Sequence, residues 1–210
     1  MAKVMIIDDE QDIRDLVDLT LSREGYDVIT AEDGESALEA LSKEKPDLVL
    51  LDINMPGIDG WETLDRMEKK GITKDVPVMM FTIEELTFVK MLREDIEGLV
   101  GYMEKPFDRS ELVDTVTRII KETKKISEQS KRIRERPEGG ENMADAFESL
   151  SRSKMIHERF LDKLREMEKN LDNERKLAQL KNLKRGEKNT IDDLERKRER
   201  ILNNLDIDES

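Results

Sequence analysis

Four apolar runs in this sequence end in side chains able to do chemistry. "VMII" leads into Asp8 and Asp9, "LVLL" into Asp52, "VMMF" into Thr82 and "LVGYME" into Lys105. A buried strand that ends in a carboxylate needs a reason, because burying a charge is costly without a partner. Three carboxylates brought together repel one another, and such a cluster is tolerable where a cation shares the site. Lys105 supplies one positive charge. All-oxygen ligands with room for water suit magnesium, which keeps part of its hydration shell and bridges a carboxylate to a phosphoryl oxygen. A carboxylate nucleophile, a metal and an ammonium to absorb charge, and a hydroxyl for a remaining oxygen make a phosphoryl-transfer site. In such a site Asp52 becomes an acyl phosphate. Each acid taken singly is an ordinary strand-end or turn residue, and only the set of five on one rim exceeds that reading.

That chemistry requires elements that bring the run ends together. Residues 1–124 alternate short apolar runs with amphipathic segments, the pattern of parallel strands joined by crossover helices. The runs are "KVMII" (3–7), "YDVITA" (26–31), "DLVLL" (47–51), "VPVMMFT" (76–82) and "LVGYM" (99–103). The third and fourth are apolar nearly throughout, as strands covered on both faces are. Helices are expected over about 11–24, 34–43, 60–70, 84–96 and 109–124. In the first, Ile13, Leu16, Val17, Thr20 and Leu21 recur at helical spacing, Gly25 closes it and Gly34 opens the next. The expected fold class is α/β: a flavodoxin-like, doubly wound, five-stranded parallel sheet with right-handed crossovers. In such sheets ligands sit outside the carboxyl ends of the strands, where Asp8, Asp9, Asp52, Thr82 and Lys105 all fall.

Composition separates this part from the rest. Charged residues are 41% of the 210 and aromatics 4%, too solvated a balance for one compact globule. Residues 1–124 hold 16 Lys and Arg against 30 Asp and Glu, a net of −14, while 125–210 hold 21 against 20, a net of +1. An acidic first part and a mixed second part argue against nucleic acid as a partner. With no cysteine, disulfides, thiolate metal sites and cysteine nucleophiles are excluded. The opening "MAKVMIIDDE" has too short an apolar run for a secretory signal and no run elsewhere could span a bilayer, so a cytoplasmic protein without a membrane partner is expected.

With these residues in place, the chain resembles the receiver domain of two-component response regulators over about residues 1–124. The resemblance rests on "IIDDE" (Asp8, Asp9), "LDINMPGIDG" (Asp52, Met55, Pro56, Asp59, Gly60), Thr82 and "YMEKPF" (Tyr102, Lys105, Pro106, Phe107). It implies that Asp52 accepts a phosphoryl group from a histidine kinase, and that the protein is a phosphoacceptor that labels and dephosphorylates itself rather than an enzyme. It implies magnesium held by Asp9, Asp52 and the main-chain carbonyl of Asn54, with Asp8 nearby and acting through water, and Lys105 contacting the phosphoryl group through a chain that continues in a cis bond to Pro106. Switching, in the family pattern, comes from Thr82 bonding a phosphoryl oxygen while Tyr102 turns inward, so that local charge biases a two-state loop. A half-buried strand aromatic is the plain alternative for Tyr102. The chain departs from the pattern at Ile83, where the family carries a small residue; slowed loss of phosphate is expected. The "EGLVGY" run departs as well, which points to a specialised output face.

Beyond residue 124 the pattern changes. Pro137, Gly139 and Gly140 in "ERPEGGEN" mark a linker over 125–144, with the fifth helix able to run on to about Arg136. Residues 145–210 read as an all-α hairpin or coiled coil that serves as output or dimerisation segment. Leu150, Ser153, His157, Phe160, Leu164, Met167 and Leu171 alternate by threes and fours as a seam for a partner helix, which then drifts to Leu177, Leu180 and Leu183. Gly186 is expected to end one helix, Thr190 with Asp193 to cap the next, and Ile191, Leu194, Ile201 and Leu205 to form its apolar face. Too few apolar residues and no basic recognition helix set this segment apart from the helix-turn-helix DNA readers that commonly follow receivers. A protein target or a homodimer is therefore expected, with a DNA-binding regulator as one alternative. The other is a phosphorelay through His157, the sole histidine, for which a packed seam residue is the favoured reading.

Overall fold

The computed structural model describes residues 1–82, 99–137, 140–169 and 174–205. The chain divides into two compact units, Met1–Lys124 and Lys125–Ser210.

In the first unit the elements are β1 (Lys3–Ile7), α1 (Gln11–Arg23), β2 (Asp27–Ala31), α2 (Gly34–Leu41), β3 (Leu48–Asp52), α3 (Gly60–Lys69), β4 (Val78–Thr82), β5 (Leu99–Glu104) and α4 (Arg109–Arg134). All strands pair in parallel, in the order β2-β1-β3-β4-β5. The helix expected over 84–96 lies outside the described residues. The inner strands are sealed: Val4 to Ile7, Leu48 to Leu51 and Val78 to Phe81 have no exposed surface. Burying each such side chain contributes roughly 1.5–3 kcal/mol, so these three strands hold the sheet. Strand order reverses between β1 and β3, because the chain goes from β1 out to β2 and returns across to β3. A crevice opens at the carboxyl ends of β1 and β3, the place where doubly wound sheets bind ligands.

Two glycines set local geometry in this unit, Gly25 at the amino end of β2 and Gly60 at the rim. Gly25, at φ +85°, ends α1 and turns the chain into β2 in a conformation L side chains rarely adopt. Gly60 opens α3 so close to the sheet that a Cβ on it would lie 2.2 Å from the Asp52 carbonyl oxygen.

The second unit takes in the last turns of α4 together with α5 (Glu141–Lys169) and α6 (Glu174–Asn204). The segment expected as a linker over 125–144 is helical at both ends, and only residues 135–140 lie between α4 and α5. The reason is local. Ile126, Ser130 and Ile133 form a buried stripe that carries α4 on, while Pro137 and the positive φ of Gly140 fall after it. Ser130 donates to the Ala144 carbonyl at 3.3 Å and Arg134 to Asp145 at 2.8 Å, so the first turn of α5 is held against the end of α4.

Helices α5 and α6 are antiparallel, as the pairs Glu168 with Lys184, His157 with Glu187 and Lys154 with Glu195 require. Gly186 does not end a helix and Thr190 does not cap one. Both sit inside α6, where Thr190 donates to the Gly186 carbonyl at 3.3 Å. The expected seam is also shifted. Phe160 and Leu164 are buried as expected and His157 pairs with Glu187, but Leu150 and Ser153 are only half-buried, and Phe147, Met155 and Leu161 are buried as well. The side chains of Met167 and Leu177, and residue Leu171, lie outside the described residues. Among the described residues no helix is long and apolar enough to cross a membrane.

Candidate functional site

Each strand end delivers its group by a distinct local device. Asp8 follows β1 directly, and its N–H donates to the Ala31 carbonyl at 3.2 Å, which carries the sheet pairing one residue further. Its Oδ1 accepts from the Glu10 N–H at 3.0 Å. Asp52 is the last residue of β3 and lies opposite Phe81 of β4. Lys105 follows β5, and its bond to Pro106 is cis. Phe107 then packs edge-on against Phe81, with ring centroids 5.1 Å apart, which ties this loop to the strand beside Asp52.

The Lys105 stem reaches across β4, since neighbouring strands lie roughly 5 Å apart. Its Nζ donates to Asp52 Oδ1 at 2.7 Å and to Asp8 Oδ2 at 2.6 Å. The side chains involved are 7%, 3% and 0% exposed for Lys105, Asp52 and Asp8. One ammonium therefore bridges two buried carboxylates at the strand-order reversal. Burial pushes the Asp8 carboxyl above its ordinary range, and the hydrogen bond and charge of Lys105 only partly offset this. For Lys105, burial pulls the ammonium down, but the bonds to Asp52 and Asp8 outweigh it and leave it raised. The lysine is therefore a firmly charged cation in a pocket still short of positive charge.

Asp9 is exposed and completes the acidic group. Asp8, Asp9 and Asp52 each offer a carboxylate oxygen, and these oxygens all lie within 4.8 Å of one another. Hard oxygen donors at that spacing, one carboxyl already disfavoured as an anion, fit a divalent cation of the magnesium kind. Asn54 is exposed two residues past β3. Thr82 ends β4 opposite Glu104, its side chain outside the described residues, as is Ile83. Tyr102 is half-buried within β5 opposite Met80. The structure thus brings Asp8, Asp9, Asp52 and Lys105 together and leaves Tyr102 in the strand that leads to the lysine. His157 is in the other unit, its Nδ1 2.7 Å from Glu187 Oε2. A carboxylate only accepts, so that nitrogen carries the proton.

The motif around Asp52 names Asp59 and Gly60 without their roles, and Arg14 lies outside every motif. Gly60 permits the approach of α3 to the Asp52 backbone, and its N–H donates to the Ile53 carbonyl at 2.9 Å. Asp59 caps the helix by accepting from the Glu62 N–H at 2.8 Å. Arg14 is buried below the rim, and its Nη1 donates to the Asp8 carbonyl at 2.6 Å. The sequence does hold a signal for it: Arg14 stands three residues before Val17 and seven before Leu21, on the apolar stripe of α1.

Comparison with known proteins agrees with this geometry. The model of the response regulator receiver domain family matches residues 4–117. The alkaline phosphatase synthesis transcriptional regulatory protein PhoP of Bacillus subtilis (strain 168) is 36% identical over 137 residues, 65% of this chain. The chain spans 56% of that relative's length. Among solved structures, the chemotaxis response regulator CheY4 of Vibrio cholerae is similar over 57% of this chain and 98% of its own, at 35% identity and a TM-score of 0.52. NtrX from Brucella abortus is similar over 63% of this chain and 30% of its own, at 36% identity and a TM-score of 0.56.

Proposed function

The chain belongs to the response regulator receiver domain family through residues 4–117, and from that premise we propose that Asp52 accepts a phosphoryl group from a histidine kinase. The single observation that carries this is the Lys105 ammonium, bonded at once to Asp52 and Asp8 on the ligand-binding rim. Asp52 offers a nucleophilic oxygen there, and Lys105 stands where an oxygen of the incoming group gains negative charge. Asp8, Asp9, Asp52 and the main-chain carbonyl of Asn54 would hold magnesium, which when bound neutralises charge on phosphoryl oxygens. Thr82 and Tyr102 are the switch pair in this reading. Self-labelling from a small phosphodonor and slow self-hydrolysis follow from the same groups.

The output is a protein contact made by the helices of the second unit. Their charge is mixed, and the seam of α5 is occupied by α6 of the same chain, so a homodimer is not needed to cover it. A DNA-binding output is the rival, since PhoP is a transcriptional regulatory protein. Incubation with acetyl phosphate and magnesium should label the chain, and Asp52→Ala should abolish the label. No magnesium-dependent label, or a label that survives Asp52→Ala, rejects the acceptor role. Affinity capture with and without beryllofluoride, set beside a DNA shift assay at raised salt, separates the two outputs.

A further inference from the structure

We propose that Arg14 is a positioning residue that fixes the β1–α1 loop so that Asp8 and Asp9 can hold a divalent cation; the proposal rests on the phosphoryl-acceptor reading for its purpose. Arg14 is 7% exposed, although arginine is almost never buried without a partner. Its guanidinium donates to two acceptors, the Asp8 carbonyl at 2.6 Å and the Gln11 side-chain oxygen. The first is main chain, so the arginine grips the backbone of the acid pair rather than either carboxylate.

The other restraints lie on either side of Asp9. The Asp8 N–H is held by the Ala31 carbonyl at 3.2 Å and the Asp8 carboxylate by Lys105, and the Glu10 carbonyl accepts from the Ile13 and Arg14 N–H groups at 3.1 Å each. Across Asp9 itself only the Glu10 N–H to Asp8 Oδ1 bond at 3.0 Å closes the turn, and Glu10 makes no side-chain capping bond. Asp9 is exposed, so the loop backbone sets the region its carboxylate can reach. A charge-assisted bond to the Asp8 carbonyl therefore sets the position of Asp9 relative to Asp8 and Asp52, whose oxygens together lie within 4.8 Å.

The test is a calorimetric titration of the full chain with magnesium chloride alone, comparing the parent with Arg14→Met, which keeps a buried apolar stem and loses the donors. Half-saturation should rise about tenfold, the equivalent of losing about 1.4 kcal/mol. With acetyl phosphate, Asp52 labelling should slow at low magnesium and recover at saturating magnesium. Damage to the fold would lower it equally at every concentration. Circular dichroism and thermal unfolding verify folding, and should Arg14→Met not fold, Arg14→Lys is measured in the same way. It keeps the charge but cannot reach both acceptors, so half-saturation should rise several-fold. Half-saturation within about twofold of the parent for the folded variant, or a labelling loss that saturating magnesium does not relieve, overturns the proposal. A parent that binds magnesium but takes no label, with Arg14→Met still weakening the metal, would remove the acceptor reading and leave the positioning role standing.

Discussion

Lys105→Met and Asp8→Asn should shift the stability of the first unit in opposite directions. Methionine keeps most of the lysine stem but leaves two buried carboxylates without the ammonium that sits 2.6 Å and 2.7 Å from them. Removing one partner of a buried pair costs about 3–5 kcal/mol. The penalty also has a ceiling, because a carboxyl that is too costly to ionise takes up a proton instead. For Asp8 near pH 7, counted from the ordinary value of 3.8, that ceiling is about 4 kcal/mol at about 1.4 kcal/mol per unit. The expected loss is therefore about 3–4 kcal/mol without metal, and less with magnesium to replace the missing charge. In Asp8→Asn the side-chain amide oxygen would still accept from the Glu10 N–H, and Lys105 would stay bonded to Asp52. The substitution removes a carboxylate whose burial already opposes its charge, so a gain within the about 0.5–2 kcal/mol common for stabilising substitutions is expected. The pH dependence has a definite sign. The folded carboxyl of Asp8 is raised, so its contribution is full below the unfolded value of 3.8 and is lost as pH rises through the folded value. In EDTA the parent should lose stability across that window and Asp8→Asn should not. Urea unfolding followed by Trp61, the sole tryptophan and a residue of α3, reads this unit. A Lys105→Met protein as stable as the parent in EDTA, or an Asp8→Asn protein less stable than it, refutes the charge balance described for the pocket.

Gly60→Ala would place a carbon 2.2 Å from the Asp52 carbonyl oxygen and 2.8 Å from Ile53 Cα, both backbone, so α3 must move. A loss of about 1–3 kcal/mol in urea and labelling of Asp52 slowed about tenfold or more are expected; unchanged labelling would show that α3 does not set the acceptor's position. Gly186→Ala meets nothing within 4 Å inside α6 and should stabilise the second unit by about 0.5–1 kcal/mol, seen as a higher midpoint in helical circular dichroism. A lower midpoint would mean that the glycine answers a packing need. His157→Ala removes the 2.7 Å bond to Glu187 and should loosen the α5–α6 pair by about 1–2 kcal/mol while Asp52 labelling stays unchanged. An acid-labile second label on the parent, absent from His157→Ala, would instead establish a relay.

In the first unit the apolar runs were legible because a parallel strand covered on both faces must be apolar along its whole length, as Leu48 to Leu51 are. Residue types at the run ends then pointed to Asp8, Asp52 and Lys105 on one rim, since parallel strands joined by crossovers end on the same edge and right-handed crossovers leave few topologies. What did not show was how the rim is built. A motif match names Gly60 without showing that it stands where a close backbone approach forbids a side chain. Arg14 belongs to no motif, although its place on the stripe of Val17 and Leu21 marks a charge that must find a buried acceptor.

In the second unit the failures share one physical cause. Apolar periodicity locates a seam only when the seam is apolar, and here its middle is charged. Lys154 with Glu195, His157 with Glu187, and Glu168 with Lys184 sit between α5 and α6 with about a third or less of each side chain exposed. A search for leucines at helical spacing therefore passed over Lys154, took the half-buried Ser153 beside it, and read the polar stretch around Gly186 as a helix end. Yet the glycine lies within a turn of Lys184 and Glu187, and both are held by α5, so the helix continues through it. A seam joined by ion pairs gains less from burial than an apolar one and weakens as salt screens it. Raised ionic strength should accordingly lower the midpoint of the α5–α6 helices more than that of the sheet unit, whose inner strands are apolar. If both fell together, burial rather than charge would be what joins the two helices.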